Sequence, residues 1–211
     1  MSGGGSVYQT VIFSVQKTLD ETGQFPEEIA DIAAVTGIAE KDIRALFGTK
    51  AALHEAMIYQ AVTLLNDSLR AGVIASPSDD PITQLHSIAH SYVIWAQDNP
   101  GLFRLLVTAL NGQIEPDSTL HRYTTSMRDL YHRKFAEAQA RGILAPDMDI
   151  EITMMMLHCL TKGGNMMFLT RNTDPWFDGD TRPTAELAER IFVQFMQNLV
   201  RANRACPQQV A

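Results

Sequence analysis

Ile29-Ala30-Asp31-Ile32-Ala33-Ala34-Val35-Thr36-Gly37-Ile38-Ala39-Glu40-Lys41-Asp42-Ile43-Arg44-Ala45-Leu46-Phe47 is the stretch that decides how this chain folds. Its apolar residues recur at helical spacing on both sides of Gly37, a residue that reaches positive φ without a Cβ clash. The stretch reads as a short helix, a tight turn and a second short helix. Ile29, Ile32, Ala33, Ile38, Ile43 and Phe47 form its inner side, and the small Ala33 and Ala34 let the two helices approach closely. Glu40, Lys41, Asp42, Arg44 and Ala45 are left facing outward. Such a pair of helices is the arrangement that lays its second member in the major groove of DNA, although helical hairpins of ordinary bundles share the pattern.

Outward from this stretch the helical spacing continues. Val11, Val15, Thr18 and Leu19 share one face of a first helix that Gly23 stops. Pro26 suits the first position of the second helix, with Glu27 and Glu28 in its first turn. After Gly48, Thr49 caps a long helix whose apolar face is Leu53, Met57, Tyr59 or Gln60, Leu64 and Leu65, ending at Gly72. Further helices are predicted over about 82–97, 101–110, 118–141, 149–170 and 183–204. The breaks are Ser76 to Pro81, Asn99-Pro100-Gly101, Arg141-Gly142 followed by Pro146, and Asp174-Pro175. No sustained period-2 alternation predicts a strand, and no internal repeat of 30–50 residues predicts a solenoid. The expected fold is all-α with about nine helices.

The run Phe47-Gly48-Thr49-Lys50-Ala51-Ala52-Leu53 resembles the end of the helix-turn-helix in TetR-type transcriptional regulators. There an aromatic closes the recognition helix, and a Lys and an apolar residue open a long fourth helix. Asp31-Ile32-Ala33 and the Gly37-Ile38 turn fall at that family's spacing, so the resemblance in motif covers residues 8–60 or so. Tyr92 to Arg104 is similar to part of the family's C-terminal domains. The resemblance implies a helix-turn-helix DNA-binding domain over 7–50 and a helical effector-binding and dimerisation domain over 51–205. It implies a one-component regulator that binds double-stranded operator DNA as a homodimer, usually a repressor, released by a small-molecule effector. In this family the last two long helices pair with their symmetry mates as a four-helix bundle.

The departures from the family pattern concern charge and capping. Glu27 stands where the family carries a hydroxyl residue at the start of the second helix. Ala39 replaces the Ser or Thr that caps the recognition helix, and Leu46 replaces a Tyr before the closing aromatic. Lys17 is the first cation, where most members of the family carry a basic N-terminal arm. Residues 1–60 hold four Lys or Arg against eight Asp or Glu, a net charge of −4 in a chain of net charge −7. Since phosphate contacts supply most non-specific affinity, binding is expected to be weak or strongly salt-dependent. Arg44 is the candidate for a base contact, because a guanidinium bonds bidentately to guanine. Lys41, Lys50 and Thr49 are the candidates for phosphate, with Asp42 and Ala45 completing the outer face. Plain surface or capping roles compete for each of them. A ligand-binding or protein-interaction protein that kept this fold and lost DNA reading is the alternative for the whole chain.

The later half is rich in bulky apolar groups. Met154, Met155, Met156, Leu157, Leu160, Met166, Met167, Phe168 and Leu169 cover most sides of one helix, which must then be covered on more than one side. The last helix offers Leu187, Ile191, Phe192, Phe195, Met196, Leu199 and Val200. Tyr92, Trp95, Phe103, Met127, Tyr131, Met155, His158 and Lys162 are the candidates to line an effector cavity, with ordinary core packing as the competing account. Lys162 is an isolated cation suited to an acidic effector or to snorkelling toward water.

Several functions are disfavoured. The sequence has no GxGxxG, Walker lysine loop, GxSxG or HExxH, and none of its Glu residues has a His three positions on, so neither an enzyme nor a di-iron bundle is expected. No metal or cofactor is implied. Cys159 and Cys206 sit in no metal-ligand or disulfide spacing and suit a reducing cytoplasm. Residues 1–6 read as a flexible lead and lack the charged and apolar regions of a secretory signal. The most apolar run, 152–169, is interrupted by His158, Lys162 and Asn165, which argues against a membrane span. With 45% hydrophobic and 19% charged residues, a folded core is expected instead of disorder.

Overall fold

The computed structural model describes residues 3–76 and 78–205. Among them are nine α-helices, two short 3-10 turns and no strand. In chain order the helices are α1 (Gly3–Thr22), α2 (Ile29–Thr36), α3 (Glu40–Phe47), α4 (Lys50–Ala75), α5 (Pro81–Asp98), α6 (Pro100–Asn111), α7 (Thr119–Ala140), α8 (Ile150–Thr170) and α9 (Thr184–Ala205). No helix among the described residues is long and apolar enough to cross a membrane. The chain forms two compact units, one of Met1–Asn66 with Trp95–Tyr123, the other of Asp67–Ile94 with Thr124–Ala211.

In the first unit α1 packs on α2 and α6, and α2 packs on α3. Its core takes Val11, Val15 and Leu19 from α1, Ile32 from α2, Ile43 from α3, Leu53 and Met57 from α4, and Leu102 and Leu106 from α6. Gly23 stops α1 as its sequence position predicts, at φ +70° with its N–H on the Leu19 carbonyl at 2.8 Å. Gly101 serves a different purpose. Its N–H donates to the Asp20 carboxylate at 2.8 Å, and an added Cβ would lie 2.6 Å from the backbone of Leu19 and Asp20. Backbone cannot swing aside as a long side chain can, so Gly101→Ala is expected to destabilise the protein by about 1–3 kcal/mol, the usual cost of overpacking. Chemical denaturation that shows no loss would disprove this contact.

Three helix boundaries differ from expectation. Helix α1 already runs from Gly3, so the supposed flexible lead is helical from that residue, while Met1 and Ser2 lie outside the described residues. Helix α2 starts at Ile29 and not at Pro26, because the Glu28 backbone N–H is taken by the Asp31 carboxylate at 2.9 Å, a reciprocal cap that fixes the first turn there. Helix α4 runs through Gly72 to Ala75. Gly72 is no stop signal: a Cβ on it would meet the Ser91 hydroxyl at 1.9 Å, so glycine lets α4 and α5 touch. On α4 itself Tyr59 is exposed and Gln60 half-buried, so of the two alternatives the apolar face takes Gln60, together with the buried Ile58 that was not expected on it.

The second unit is built around Ile82 and Leu85 of α5, Phe135 and Ala138 of α7, Met154 and Leu157 of α8, and Phe195 and Met196 of α9. Between α8 and α9 the chain folds over Arg171. Its guanidinium donates to the Asp180 carbonyl at 2.7 Å and to the Arg182 carbonyl and Thr184 hydroxyl, faces the Asp180 carboxylate, and lies 5.9 Å from the Phe177 ring centre. The two arginines that grip Asp180 hold its carboxyl far below the usual carboxylate range, the hydrogen bonds from Arg182 contributing most.

Candidate functional site

Helix α3 owes its orientation to two side chains. Ile43 and Phe47 are buried one turn apart, which leaves Lys41, Asp42, Arg44, Ala45 and Leu46 on the exposed side. Phe47 is braced by Tyr8 of α1, whose ring stacks on it at 5.2 Å. The turn before α3 is held by Gly37, at φ +68° with its N–H on the Ala33 carbonyl at 2.9 Å, and by Thr36, whose hydroxyl accepts from the Ile38 N–H. Ala39 starts α3 without any side-chain cap, as its identity demands.

The cations on this surface differ in freedom. Arg44 donates from Nε and Nη2 to one oxygen of Glu40, at 2.8 and 2.5 Å. Lys41 and Lys50 are exposed and form no ion pair among the described residues. The Thr49 hydroxyl accepts from the Ala52 N–H at 3.1 Å and so caps α4, which leaves its own O–H free to donate outward. The sequence reading missed Glu40 as the partner of Arg44, although the Glu-to-Arg spacing of four residues is a legible signal on a helix. It also missed Tyr8 as the brace of Phe47, which no local pattern reveals.

The eight candidate effector residues are distributed over both units. Trp95 and Phe103 belong to the first unit, both buried, with ring centres 6.4 Å apart. In the second unit Tyr92 donates its hydroxyl to Asn165 Oδ1 at 2.9 Å, and Tyr131 lies against the core cluster. Burial pushes both phenols up, that of Tyr131 to about 12, so each is an O–H donor at any physiological pH. Met127 is half-buried on α7. Met155, His158 and Lys162, expected to line an inner cavity, instead lie on the exposed side of α8, with Met155 60% exposed. The reason is register: Met154, Leu157, Asn165 and Met167 take the inner side of α8, and the neighbouring positions rotate outward. Asn165, the buried partner of Tyr92, carries no sequence signal, since the two are 73 residues apart. Cys159 is exposed on the same side of α8, and Cys206 lies outside the described residues.

The all-α chain thus has an N-terminal helix-turn-helix whose second helix shows its polar side outward. No family model matches the sequence, and no curated protein does. Solved structures match in fold. FadR, a regulator of fatty acid degradation from Bacillus halodurans, superposes with a TM-score of 0.67 at 14% identity, over 91% of this chain and 99% of that one. PfmR, a TetR family transcriptional regulator from Thermus thermophilus, gives a TM-score of 0.62 at 16% identity, over 89% and 97%. A protein of unknown function from Rhodococcus sp. RHA1 gives 0.71 at 18%, over 91% and 94%. The fold of this chain is that of the TetR-type transcriptional regulators.

Proposed function

We propose that this chain is a cytoplasmic one-component transcriptional regulator, a repressor that binds operator DNA as a homodimer and is released by a small molecule. In this reading residues 7–50 bind DNA and residues 51–205 bind the effector and dimerise. The observation that carries it is the exposure of Lys41, Arg44 and Ala45 on a helix anchored from beneath by Ile43 and Phe47. Arg44 meets a base edge, while Lys41, Lys50 and the Thr49 hydroxyl meet phosphates on either side. The effector site is sought around Tyr92, Tyr131 and Asn165, where neutral phenols and an amide offer hydrogen bonds beside an apolar core.

A second reading, a helical receptor that no longer reads DNA, draws on the net charge of −4 in residues 1–60 and on the Glu40 carboxylate that holds Arg44. A mobility-shift assay with the DNA upstream of the protein's own coding sequence separates the two. The regulator reading requires a shifted band at low salt. An absent band at micromolar protein, with the fold intact by circular dichroism, leaves the receptor.

Salt dependence gives a further expected result. Lys41 and Lys50 from two modules neutralise four phosphates, for a slope of log affinity against log salt of roughly −3.6. Affinity should then fall about 150-fold between 50 and 200 mM salt. Fluorescence anisotropy titrations check this, and a slope near zero would remove the lysines from the DNA contact.

A further inference from the structure

The inner side of α8 buries two polar side chains, and they differ in what they leave open. Thr153 donates its hydroxyl to the Asp149 carbonyl at 2.7 Å, a local bond at the start of the helix. Asn165, 8% exposed, accepts the Tyr92 hydroxyl on Oδ1 at 2.9 Å, and its Nδ2 has no partner among the described residues. Buried donors are nearly always bonded, so an open amide at this depth requires a partner from outside the chain.

Two phenols share this corner. Tyr92 of α5 is bonded to Asn165 and lies close enough to Tyr131 of α7 for the second phenol to disfavour ionisation of the first. Tyr131 packs against the apolar cluster, and its hydroxyl has no hydrogen-bond partner among the described residues. Burial is the main cause that raises both phenols, so the hydroxyls are withdrawn from bulk water. Each residue as a whole is only half-buried, so both border space that their own unit leaves partly open.

The groups on offer decide the chemistry of what fits. Asn165 brings two N–H donors and Tyr131 one O–H donor, while the amide oxygen already accepts from Tyr92. The set is rich in donors and carries no charge. The clustered residues beside it are apolar, and no charged side chain is among the groups that shift either phenol. Lys162, one turn before Asn165, lies on the exposed side of α8. A carboxylate here would be buried without a cation, which costs more than its hydrogen bonds contribute. An ammonium would meet donors in place of acceptors. An alcohol would bring a proton of its own and find the amide oxygen engaged. A carbonyl oxygen accepts two hydrogen bonds and brings neither charge nor proton.

We propose that Asn165 and Tyr131 bind the carbonyl oxygen of an uncharged, mainly apolar ligand, with Tyr92 holding the amide in place. The proposal rests on the reading that this unit receives an effector, and goes beyond it by naming the chemical class.

Three probes of similar length test it on the full chain: 2-nonanone, 2-nonanol and octanoate, by isothermal titration calorimetry at neutral pH. The ketone is expected to bind about 10-fold or more above octanoate, and more tightly than the alcohol. Tyr131→Phe removes a hydroxyl that bonds nothing in the protein, so the fold should persist by circular dichroism while ketone affinity falls about 2- to 12-fold. Asn165→Leu should lower it as well, but also strips Tyr92 of its acceptor, so Tyr131→Phe decides the outcome. Octanoate or the alcohol binding as tightly as the ketone overturns the ligand class, as does a ketone preference that survives Tyr131→Phe. Binding of none of the three leaves the open donors to water and overturns the effector reading of this corner with it. Ketone binding by a chain that shifts no DNA upholds the ligand class and removes the regulator reading.

Discussion

Arg44→Ala is expected to weaken operator binding by about 5- to 150-fold per half-site, the equivalent of about 1–3 kcal/mol for one bidentate base contact. Two half-sites per dimer compound the loss. The contact with Glu40 does not stand in the way: an exposed pair at this spacing is worth about 0.3–0.5 kcal/mol, less than a base contact returns. Both partners are more than 40% exposed, so solvent screens the pair further. The guanidinium can also keep Glu40 on its Nε side and offer its other edge to guanine. The variant is read by anisotropy against the preferred sequence and against scrambled DNA. A base reader loses the preference along with the affinity. A loss equal on both DNAs would make Arg44 one more phosphate contact, and no loss on either would return α3 to plain surface.

Phe135→Ala is expected to lower the stability of the protein by about 3–5 kcal/mol. Phe135 is fully buried among residues of α5, α8 and α9, so its removal leaves a cavity that four helices would have to collapse to fill. Urea denaturation followed by circular dichroism, at one fixed protein concentration because a dimer's stability depends on it, gives the difference. A loss below about 1 kcal/mol would mean that the second unit is far looser than its burial implies. Operator affinity of the folded variant should stay near wild type, since α3 belongs to the other unit.

The sequence predicts this fold well where one helix carries one apolar face. The inner residues of the helix-turn-helix, Ile29, Ile32, Ile43 and Phe47, are all buried, and Ala33 and Ile38 are half-buried. Short amphipathic helices leave little choice of which side goes in. Helix α8 is the opposite case. Methionines on nearly every side give no phase to the periodicity, so sequence alone could not tell that Met154 and Met167 point in while Met155, Met156 and Met166 point out. Glycine was ambiguous in the same way. Gly23 ends a helix, whereas Gly72 and Gly101 admit a neighbouring element, and only the neighbour distinguishes the two uses. The bond from Tyr92 to Asn165 joins segments far apart in the chain and was beyond any local rule.

The α8–α9 connection that folds over Arg171 carries Trp176, 87% exposed, while the chain's other tryptophan, Trp95, is 3% exposed. The molecule thus carries two native optical probes of opposite character. An aqueous quencher such as iodide will extinguish the indole on the loop and spare the one beside Phe103. Emission that survives quenching reports on the interior of the first unit, and the quenched fraction reports on the loop, without any label.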